Sequence, residues 1–590
     1  MLVRGYSYKV YRHRRHRNPF LEPRAPPTRL PPMLPQISSL LLAALSLPLP
    51  LPPTTPVRAS QSPAPTPTPT PAPTIDLGYA QYRGLVNAST GVASYLGIRF
   101  AQPPIQDLRW RAPQAPTPSP APGAQNATAP PLCPQAPLRI TTPGGIPPPD
   151  TSSVSEDCLF LNVFTPSNVL KGRGPKAKLP VIVWIHGGGY ALSSAATFDG
   201  TNLIQESNYG VVVVAIQYRL GIFGFLAGKA VKAGGVLNAG LLDQEFALKW
   251  VQQHITKFGG DPARVTIWGQ SAGAGSVLQH VIARNGRTEP PLFTRAIASS
   301  TFLPSQHRFS DPEPEAIFAS VVSTAGCDGA ADALACLRAA NTTVLQAANA
   351  EAYRRGGFGV SLVVPVVDGE FITQPPSEAL RKGQVNGNAL LAITNSNEGV
   401  IFVNQSTADS VTAAQFARNV FPRLGPAQAV EAARLYEGLG PPIEQANSIM
   451  GETIFQCPTL WFARAFRQSF KGQYAVGTAL HGDDISQYFP SFAPRFFDDP
   501  AFTSSFTQSF LDFALSRAGD PNVRFSSNGS SNVTPRWARY ASAADGDREF
   551  EFEMVFNRTE GGPDIHPTTT DAGLLERCAF WESVSALTAQ

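Results

Sequence analysis

From residue 155 onward, apolar runs of strand length alternate with segments in which apolar residues recur at helical spacing. Short continuous apolar runs predict strands buried on both faces at residues 181–185, 211–216 and 265–268, and residues 159–164 alternate in type as a strand does. Later strands are predicted at 390–394 and 475–480. In residues 241–255, Leu242, Phe246 and Trp250 recur at helical spacing. Strands and helices that alternate in this way predict an α/β fold, with a large, mostly parallel central sheet flanked by helices.

The first 74 residues differ in composition from the rest of the chain. Residues 1–59 are strongly basic, and their apolar stretch at 37–51 is shorter than the ~20 residues that a membrane span needs. This stretch fits the core of a secretory signal, and Val57-Arg58-Ala59 fits its cleavage site, with an uncleaved signal anchor as the alternative. Residues 60–74 are rich in Pro and Thr and predict an extended linker. We therefore divide the chain into an N-terminal extension with a signal peptide (1–59), a linker (60–74) and one globular domain (75–590).

Charge and cysteine content narrow the possible partners and compartments. The chain has a net charge of +4, but residues 1–59 carry +8, so the remainder is mildly acidic at −4 and predicts no surface for nucleic acid. Six cysteines, an even number, suit an oxidising compartment. Asn-X-Ser/Thr acceptor sequences occur at Asn87, Asn126, Asn341, Asn404, Asn528, Asn532 and Asn557. Together with the signal-like segment, these features predict a secreted glycoprotein without stable membrane insertion.

The sequence Gly269-Gln270-Ser271-Ala272-Gly273 lies between a predicted strand and a helix-like segment at 274–281. A Gly-X-Ser-X-Gly turn at such a junction needs small residues, because strand and helix pack closely around a strained serine. The turn lifts the serine hydroxyl clear of the sheet. A bare match to this pattern is common, so the flanking strand and helix are what make Ser271 the candidate nucleophile.

A serine hydroxyl needs a base to remove its proton, and the chain has eight histidines. Two lie in the predicted leader, and His186 lies in a glycine loop with another role. Four more lie on helical patterns or in loops without a pattern: His254, His280, His307 and His566. His481 follows the predicted strand 475–480, and a loop at a strand end is a suitable place for such a base. We therefore predict His481 as the general base.

A carboxylate must orient the imidazole and stabilise its cationic form. Where the serine lies on a turn of this type, the chain order is Ser, acid, His. Glu398 follows the predicted strand 390–394 in the loop Asn395-Ser396-Asn397-Glu398-Gly399. Asp368, in Val367-Asp368-Gly369, is the other candidate for the acid. Spacing alone favours Glu398 but does not exclude Asp368.

The oxyanion of a tetrahedral intermediate needs hydrogen-bond donors. The predicted strand 181–185 ends in His186-Gly187-Gly188-Gly189, where glycines let backbone N–H groups face the site without obstruction by side chains. The N–H groups of Gly188 and Gly189, with that of Ala272 beside the nucleophile, are the three predicted donors.

These motifs resemble those of the type-B carboxylesterase/lipase family, which includes cholinesterases and several fungal lipases. The segment 258–273 resembles the nucleophile signature of the family, and Glu156-Asp157-Cys158-Leu159-Phe160-Leu161-Asn162-Val163 resembles its second signature. Further similar segments follow in the same order at 218–225, 238–244 and 577–581. The resemblance extends from about residue 76 to the end, and it implies an α/β-hydrolase fold and a serine carboxylic-ester hydrolase that forms an acyl-enzyme.

The resemblance also implies roles for particular residues. Glu398 matches the acid loop of the family, His481 matches its histidine loop, and Ser300 matches a supporting serine near the acid. Six cysteines allow fifteen pairings, and the family pattern implies Cys133–Cys158, Cys327–Cys336 and Cys457–Cys578. Two departures stand out. Gln270 replaces the glutamate that many members have before the serine, and Ser299-Ser300-Thr301 replaces the usual Gln-Ser-Gly, which weakens the assignment of Ser300.

The loop between Cys133 and Cys158 bears on the substrate. Residues 134–157 contain no Phe, Tyr or Trp, so this loop offers no cation–π contact of the kind that cholinesterases use for quaternary ammonium. They contain six prolines and two adjacent glycines, which disfavour the helical lid that this loop forms in fungal lipases. We therefore predict an esterase of soluble, short-to-medium acyl esters. A lipase acting on long-chain acylglycerols is the alternative, and a non-catalytic binding domain is a second one.

The partners that follow are few. A small-molecule ester is the only partner that the motifs imply, no metal or organic cofactor is expected, and the oligomeric state stays open. Relatives that have become binding domains usually lack the serine, the histidine or the glycine loop. All three are present here.

Overall fold

The structure is a computed structural model that describes residues 70–118, 123–141, 153–171, 178–525, 532–540 and 551–590. The predicted leader (1–59), the first part of the predicted linker (60–69) and residues 142–152 lie outside these ranges. The signal peptide and its cleavage site therefore stay predictions. Within the described ranges, no helix is long and apolar enough to cross a lipid bilayer.

One sheet runs through the described part of the chain and contains thirteen strands. They are β1 (Thr70–Asp76), β2 (Gln81–Asn87), β3 (Val92–Arg99), β4 (Gln125–Asn126), β5 (Phe160–Pro166), β6 (Leu179–Ile185), β7 (Val212–Ile216), β8 (Gly260–Gln270), β9 (Arg295–Ser299), β10 (Ala389–Asn395), β11 (Ser469–Tyr474), β12 (Phe552–Thr559) and β13 (Gly562–Thr569).

The central strands of this sheet are parallel. Their order in space is β1-β2-β3-β5-β7-β6-β8-β9-β10-β11-β12-β13, with β4 beside β2. The pairs from β7 to β12 are parallel, whereas β12–β13 and the pairs from β1 to β7 are antiparallel. Because parallel strands end at the same edge of a sheet, the loops after β6, β8, β10 and β11 meet there, where ligands bind in open α/β sheets.

Helices cover the sheet and connect its strands. They are α1 (Thr201–Glu206), α2 (Gly221–Phe225), α3 (Lys229–Gly234), α4 (Ala239–His254), α5 (Ala272–Ile282), α6 (Pro312–Thr324), α7 (Ala333–Ala339), α8 (Thr342–Arg354), α9 (Pro376–Arg381), α10 (Ala413–Val420), α11 (Pro426–Tyr436), α12 (Pro442–Gly451), α13 (Cys457–Arg464), α14 (Ile485–Tyr488), α15 (Pro500–Leu515), α16 (Ala572–Ser583) and α17 (Ser585–Thr588).

The apolar runs of the central strands divide their side chains between two cores. Along β6, Val181, Val183 and Ile185 belong to one buried cluster, and Ile182 and Trp184 belong to the other. All five are fully buried. Both faces of the strand are therefore covered, which explains why its sequence is continuously apolar instead of alternating.

Most of the elements predicted from the sequence are confirmed. The strands predicted at 159–164, 181–185, 211–216, 265–268 and 390–394 correspond to β5, β6, β7, β8 and β10, and the helix predicted at 241–255 is α4. His566 differs, because it lies on β13 and not in a loop. Residues 70–74 of the predicted linker also differ, since they form part of β1, an edge strand that tolerates Pro71 and Pro73.

The strand predicted at 475–480 is wrong. The strand is β11, six residues earlier, and residues 475–480 form the loop that follows it. Gly477 and Ala479 have φ values of 62° and 42°, which a regular strand does not contain. His481 therefore lies at the end of an irregular loop and not directly at the end of a strand.

Candidate active site

Ser271 lies at the tight turn between β8 and α5. Its backbone angles are φ 57° and ψ −126°, a strained conformation for a residue with a side chain. Small residues on both sides make the turn possible. A Cβ atom on Gly273 would lie 2.0 Å from the carbonyl oxygen of Ile185, and one on Gly269 would lie 2.3 Å from the carbonyl carbon of Gly273. The turn therefore has the close strand–helix packing that the Gly-X-Ser-X-Gly pattern predicts.

His481 contacts Glu398 directly. Its Nδ1 atom lies 2.5 Å from Oε2 of Glu398, and both side chains are nearly inaccessible to solvent. The other carboxylate oxygen accepts a hydrogen bond of 2.7 Å from the backbone N–H of Asn395. The rings of Phe455 and Phe402 lie 4.4 and 5.0 Å from the imidazole. The carboxylate is therefore fixed at both oxygens, and the ring is held between it and two aromatic side chains.

The loops that carry the acid and the histidine are joined by backbone contacts. Asn397 donates from its backbone N–H to the carbonyl of Ala479 at 3.0 Å and from its side chain to the carbonyl of Thr478 at 2.8 Å. It also forms a parallel bridge with Leu480. Side-by-side pairing of the two loops accounts for the contact between Glu398 and His481, although 83 residues separate them in the chain.

Asp368, the rival acid, has a different role. It is buried and accepts hydrogen bonds from the Asn238 side chain at 2.6 Å and from the backbone N–H groups of Glu370 and Ile372. Burial raises its pKa. It makes no contact with His481 among the described residues, so the geometry favours Glu398 as the partner of the imidazole.

Ser271 and His481 are not hydrogen-bonded to each other in the described part of the chain. The Nε2 atom of the imidazole lies instead 3.3 Å from Nε2 of Gln270, whose side chain is 4% exposed. Ser271 is 7% exposed, and its backbone N–H donates to the carbonyl of Ser299 at 2.9 Å. In the sequence, Gln270 stands out only as a departure from the family pattern. Its contact with His481 cannot be predicted from the motif, because the two residues lie 211 positions apart.

The glycine loop after β6 approaches the serine. Gly188 and Gly189 have φ values of 101° and 62°, and a Cβ atom on Gly187 would lie 3.0 Å from Cβ of Ser271. Within the described ranges, the N–H groups of Gly188, Gly189 and Ala272 donate no hydrogen bond to the protein. All three predicted oxyanion donors are thus free to bind another acceptor.

His186 supports the start of the glycine loop. Its ring stacks on Tyr218 with a centroid distance of 4.5 Å, and the Tyr218 hydroxyl donates to the His186 carbonyl at 2.7 Å. Burial lowers the pKa of His186 to about 4, so the imidazole is neutral at physiological pH. This residue therefore packs the loop and carries no charge into the site.

Behind the acid lies a buried polar network that the sequence analysis only partly anticipated. The Asn395 side chain donates to Ser300 Oγ at 3.2 Å and to Asp484 Oδ1 at 3.0 Å, and Tyr488 donates to Asp484 Oδ2 at 2.7 Å. Burial raises the pKa of Asp484 to about 6. Ser300 thus reaches Glu398 through Asn395. Asp484 follows His481 by three residues in His481-Gly482-Asp483-Asp484, and this spacing is the sequence signal that could have identified it.

Three disulfides are present, and they pair as the resemblance implied: Cys133–Cys158, Cys327–Cys336 and Cys457–Cys578. Of the loop closed by the first one, residues 134–141 and 153–157 are described and contain no α-helix. Residues 142–152 lie outside the described ranges, so the absence of a helical lid stays a prediction.

A cavity of about 320 Å³ lies near the site and is lined by residues that contact its surroundings. Phe302 lines it and packs on Phe455, the ring that contacts His481. Ser361 also lines it, and its hydroxyl would lie 3.7 Å from a Cβ atom on Gly189. Most other lining residues are apolar, among them Phe225, Val360, Leu362 and Ile454. Ser361 and Phe302 therefore connect the cavity to the surroundings of the glycine loop and the histidine, although Ser271 and His481 do not line it.

One group of side chains in the described part has the spacing of a metal site. The ligand atoms of His307, Asp311 and Glu313 lie within 4.8 Å of one another. Arg423 pairs with both carboxylates, at 3.0 Å from Asp311 and 2.5 Å from Glu313. Since the guanidinium already compensates these charges, the group is an ion-pair network and we assign no metal to it.

Comparisons with known proteins show the family of the chain. Residues 71–560 match the model of the carboxylesterase family. The chain is 33% identical over 465 residues to a secreted lipase of Arthroderma benhamiae, covering 75% of this chain and 85% of that protein. It is 28% identical over 569 residues to carboxylesterase patB of Penicillium expansum, covering 86% of this chain and 95% of that protein.

A solved structure is also similar. The crystal structure of Aspergillus niger EstA matches with a TM-score of 0.73 and 31% sequence identity, covering 88% of this chain and 99% of that one. The family match spans most of the chain, and the sheet and helices described above correspond to those of an α/β-hydrolase. The chain therefore belongs to the carboxylesterase family, and it is a carboxylic ester hydrolase with the α/β-hydrolase fold.

Proposed function

We propose that the protein hydrolyses carboxylic esters through Ser271, His481 and Glu398 by way of an acyl-enzyme. Ser271 Oγ attacks the ester carbonyl while His481 Nε2 takes its proton, and the imidazolium then gives this proton to the leaving alcohol. Water attacks the acyl-enzyme in the same way, and the acid is released. The observation that carries the proposal is the contact of 2.5 Å between His481 and Glu398, with the imidazole also in contact with Gln270, the residue before the strained serine.

The oxyanion of each tetrahedral intermediate is stabilised by backbone donors. The N–H groups of Gly188, Gly189 and Ala272 support this role because they have no acceptor within the described protein. Fixed donors of this type stabilise charge that develops in the transition state without further reorganisation. Glu398 holds the Nδ1–H tautomer, which leaves the lone pair of Nε2 as the proton acceptor.

We propose soluble esters with short-to-medium acyl chains as substrates. The apolar cavity beside the site has a volume of about 320 Å³. This volume is at the lower end of the range for small-molecule sites, and its mostly apolar lining suits a short-to-medium acyl chain. The absence of Phe, Tyr and Trp from residues 134–157, together with the uncharged Gln270, argues against choline esters.

Long-chain acylglycerols are the alternative substrates. The relative from Arthroderma benhamiae is named a secreted lipase, which favours this alternative and also supports extracellular localisation. We propose that the chain is exported by its N-terminal signal. Absence of the protein from the medium of a cell that expresses the full chain would count against export.

A panel of p-nitrophenyl esters tests the activity and the acyl preference together. Purified wild type should hydrolyse them, with kcat/KM highest for short-to-medium acyl groups. Ser271→Ala and His481→Ala should each lose several orders of magnitude in kcat. Retained hydrolysis by Ser271→Ala would refute the assignment of the nucleophile. Strong activation by emulsified long-chain triglyceride would favour a lipase instead.

A further inference from the structure

The Gln270 side chain lies between the histidine and the glycine loop. Its amide nitrogen is 3.3 Å from Nε2 of His481 and would be 3.7 Å from a Cβ atom on Gly482. Its amide oxygen would be 3.1 Å from a Cβ atom on Gly187. The side chain is 4% exposed, and its backbone continues β8 into Ser271. The amide is therefore enclosed between the elements that hold the base and the oxyanion donors.

The positions of the hydrogens on the imidazole determine which residue donates in the hydrogen bond between Gln270 and His481. Nδ1 of His481 lies 2.5 Å from a carboxylate oxygen, a distance that requires a proton between the two atoms. The neutral ring then has a lone pair on Nε2, and the amide nitrogen of Gln270 is a donor. Gln270 therefore donates to the lone pair that the proposed reaction needs for the proton of Ser271.

We propose that Gln270 is a positioning residue that hydrogen-bonds the lone pair of His481 Nε2 in the resting enzyme and releases it when Ser271 and substrate engage. This inference rests on the proposed function. It explains why the imidazole bonds to Gln270 and not to Ser271 in the resting structure. Many family members have a glutamate in place of Gln270. The difference has a chemical effect, because a carboxylate cannot donate a hydrogen bond to a neutral Nε2.

Protonation of the imidazole is opposed by this contact. An imidazolium carries a hydrogen on Nε2, which would face the hydrogens of the Gln270 amide. The carboxylates near the ring favour its charged form: Glu398 bonds to it, Asp484 lies close enough to interact electrostatically, and Asp483 bonds to the backbone N–H of Leu480 in the same loop. Among the described residues, Gln270 is therefore the hydrogen-bonding group in contact with Nε2 of the ring.

The test is the pH dependence of kcat/KM for a soluble p-nitrophenyl ester. The acid limb is the part of the profile at low pH, where kcat/KM rises as the base loses its proton. Gln270→Met keeps the length of the side chain and removes the donor, so this limb should move to higher pH by roughly half a unit to one unit. Gln270→Glu keeps the shape and adds a negative charge, so the limb should move up further, by about one to three units. The pH of the acid limb should therefore be lowest in wild type, higher in Gln270→Met and highest in Gln270→Glu.

A second buried glutamine provides the matched control. Gln244 is buried, donates to Ser276 at 3.0 Å and lies 3.0 Å from Nε2 of His280, which is not one of the proposed catalytic residues. Gln244→Met should leave the acid limb where the wild type has it. If packing alone were disturbed, both methionine variants would lower activity without moving the limb.

The experiment distinguishes failure of the positioning role from failure of the proposed function. An acid limb that stays in place or moves to lower pH in Gln270→Met overturns the positioning role, whatever the result for Gln270→Glu. Activity that survives Ser271→Ala overturns the proposed function itself. Wild-type activity that depends on Ser271, together with the expected order of the three limbs, supports both.

Discussion

The effect of replacing Asp484 by asparagine on the free energy of unfolding, relative to wild type, should become more favourable as the pH rises from about 4 to about 8. Asp484 is fully buried, and its oxygens accept hydrogen bonds from Asn395 and Tyr488. Burial, the largest cause, raises its pKa from an ordinary value of 3.8 to about 6. A difference of about two units corresponds to about 3 kcal/mol of differential interaction between the two protonation states.

The sign follows from the protonation state that the fold favours. Because the folded protein binds this proton more tightly than the unfolded chain, the stabilisation is fully present below about pH 4 and is lost as the pH rises through about 6. Asparagine stays neutral throughout. The free energy of unfolding of Asp484→Asn, relative to wild type, should therefore rise by roughly 2 kcal/mol between about pH 4 and pH 8.

Urea unfolding at a series of pH values, with the disulfides intact and tryptophan fluorescence as the signal, measures this difference. Asp243→Asn compares the loss of a carboxylate whose charge is paired, since Asp243 is equally buried but bonds to Arg219 at 2.7 Å. It should destabilise the protein by about 3–5 kcal/mol at neutral pH, because Arg219 is left without its partner. A relative stability of Asp484→Asn that is flat or falls with rising pH would refute the reasoning.

The acid, the glycine loop and the Cys457–Cys578 disulfide can each be tested by substitution. Glu398→Gln should keep the fold and lower kcat by about 10⁴, because the imidazole loses the carboxylate that holds its tautomer; a loss under tenfold would contradict this. Gly188→Ala should lower kcat by about 10²–10³, since its Cβ would lie 2.2 Å from the Leu192 carbonyl oxygen; unchanged kinetics would exclude the oxyanion role. Replacing Cys457 and Cys578 by serine should cost about 5 kcal/mol in the free energy of unfolding, because their disulfide joins positions 121 residues apart; an unchanged urea midpoint would show that this constraint is not needed.

The parts of the site that the sequence predicted are those that local geometry determines. The turn around Ser271 needs small residues at 269 and 273, because any Cβ there would overlap backbone atoms, and the motif carries this requirement in five residues. Buried strands such as β6 are continuously apolar because both faces are covered. Patterns of this kind can be interpreted without knowledge of distant contacts.

Contacts between loops could not be predicted in the same way. Spacing left Glu398 and Asp368 both open, and the difference arises from the pairing of Asn397 with the loop before His481, far along the chain. The same loop was interpreted as a strand because it is apolar, although positive φ angles at Gly477 and Ala479 interrupt it. Gln270 illustrates the limit most clearly, since its partner on His481 lies 211 residues away.

The most direct test of the account is to locate the covalent intermediate. The protein is incubated with a p-nitrophenyl phosphonate, digested and mapped by mass spectrometry. We predict one phosphonyl group for each chain, attached to Ser271, and no labelling of His481→Ala on the same timescale. A label on another residue, or ester hydrolysis that continues after Ser271 is fully modified, would contradict the account.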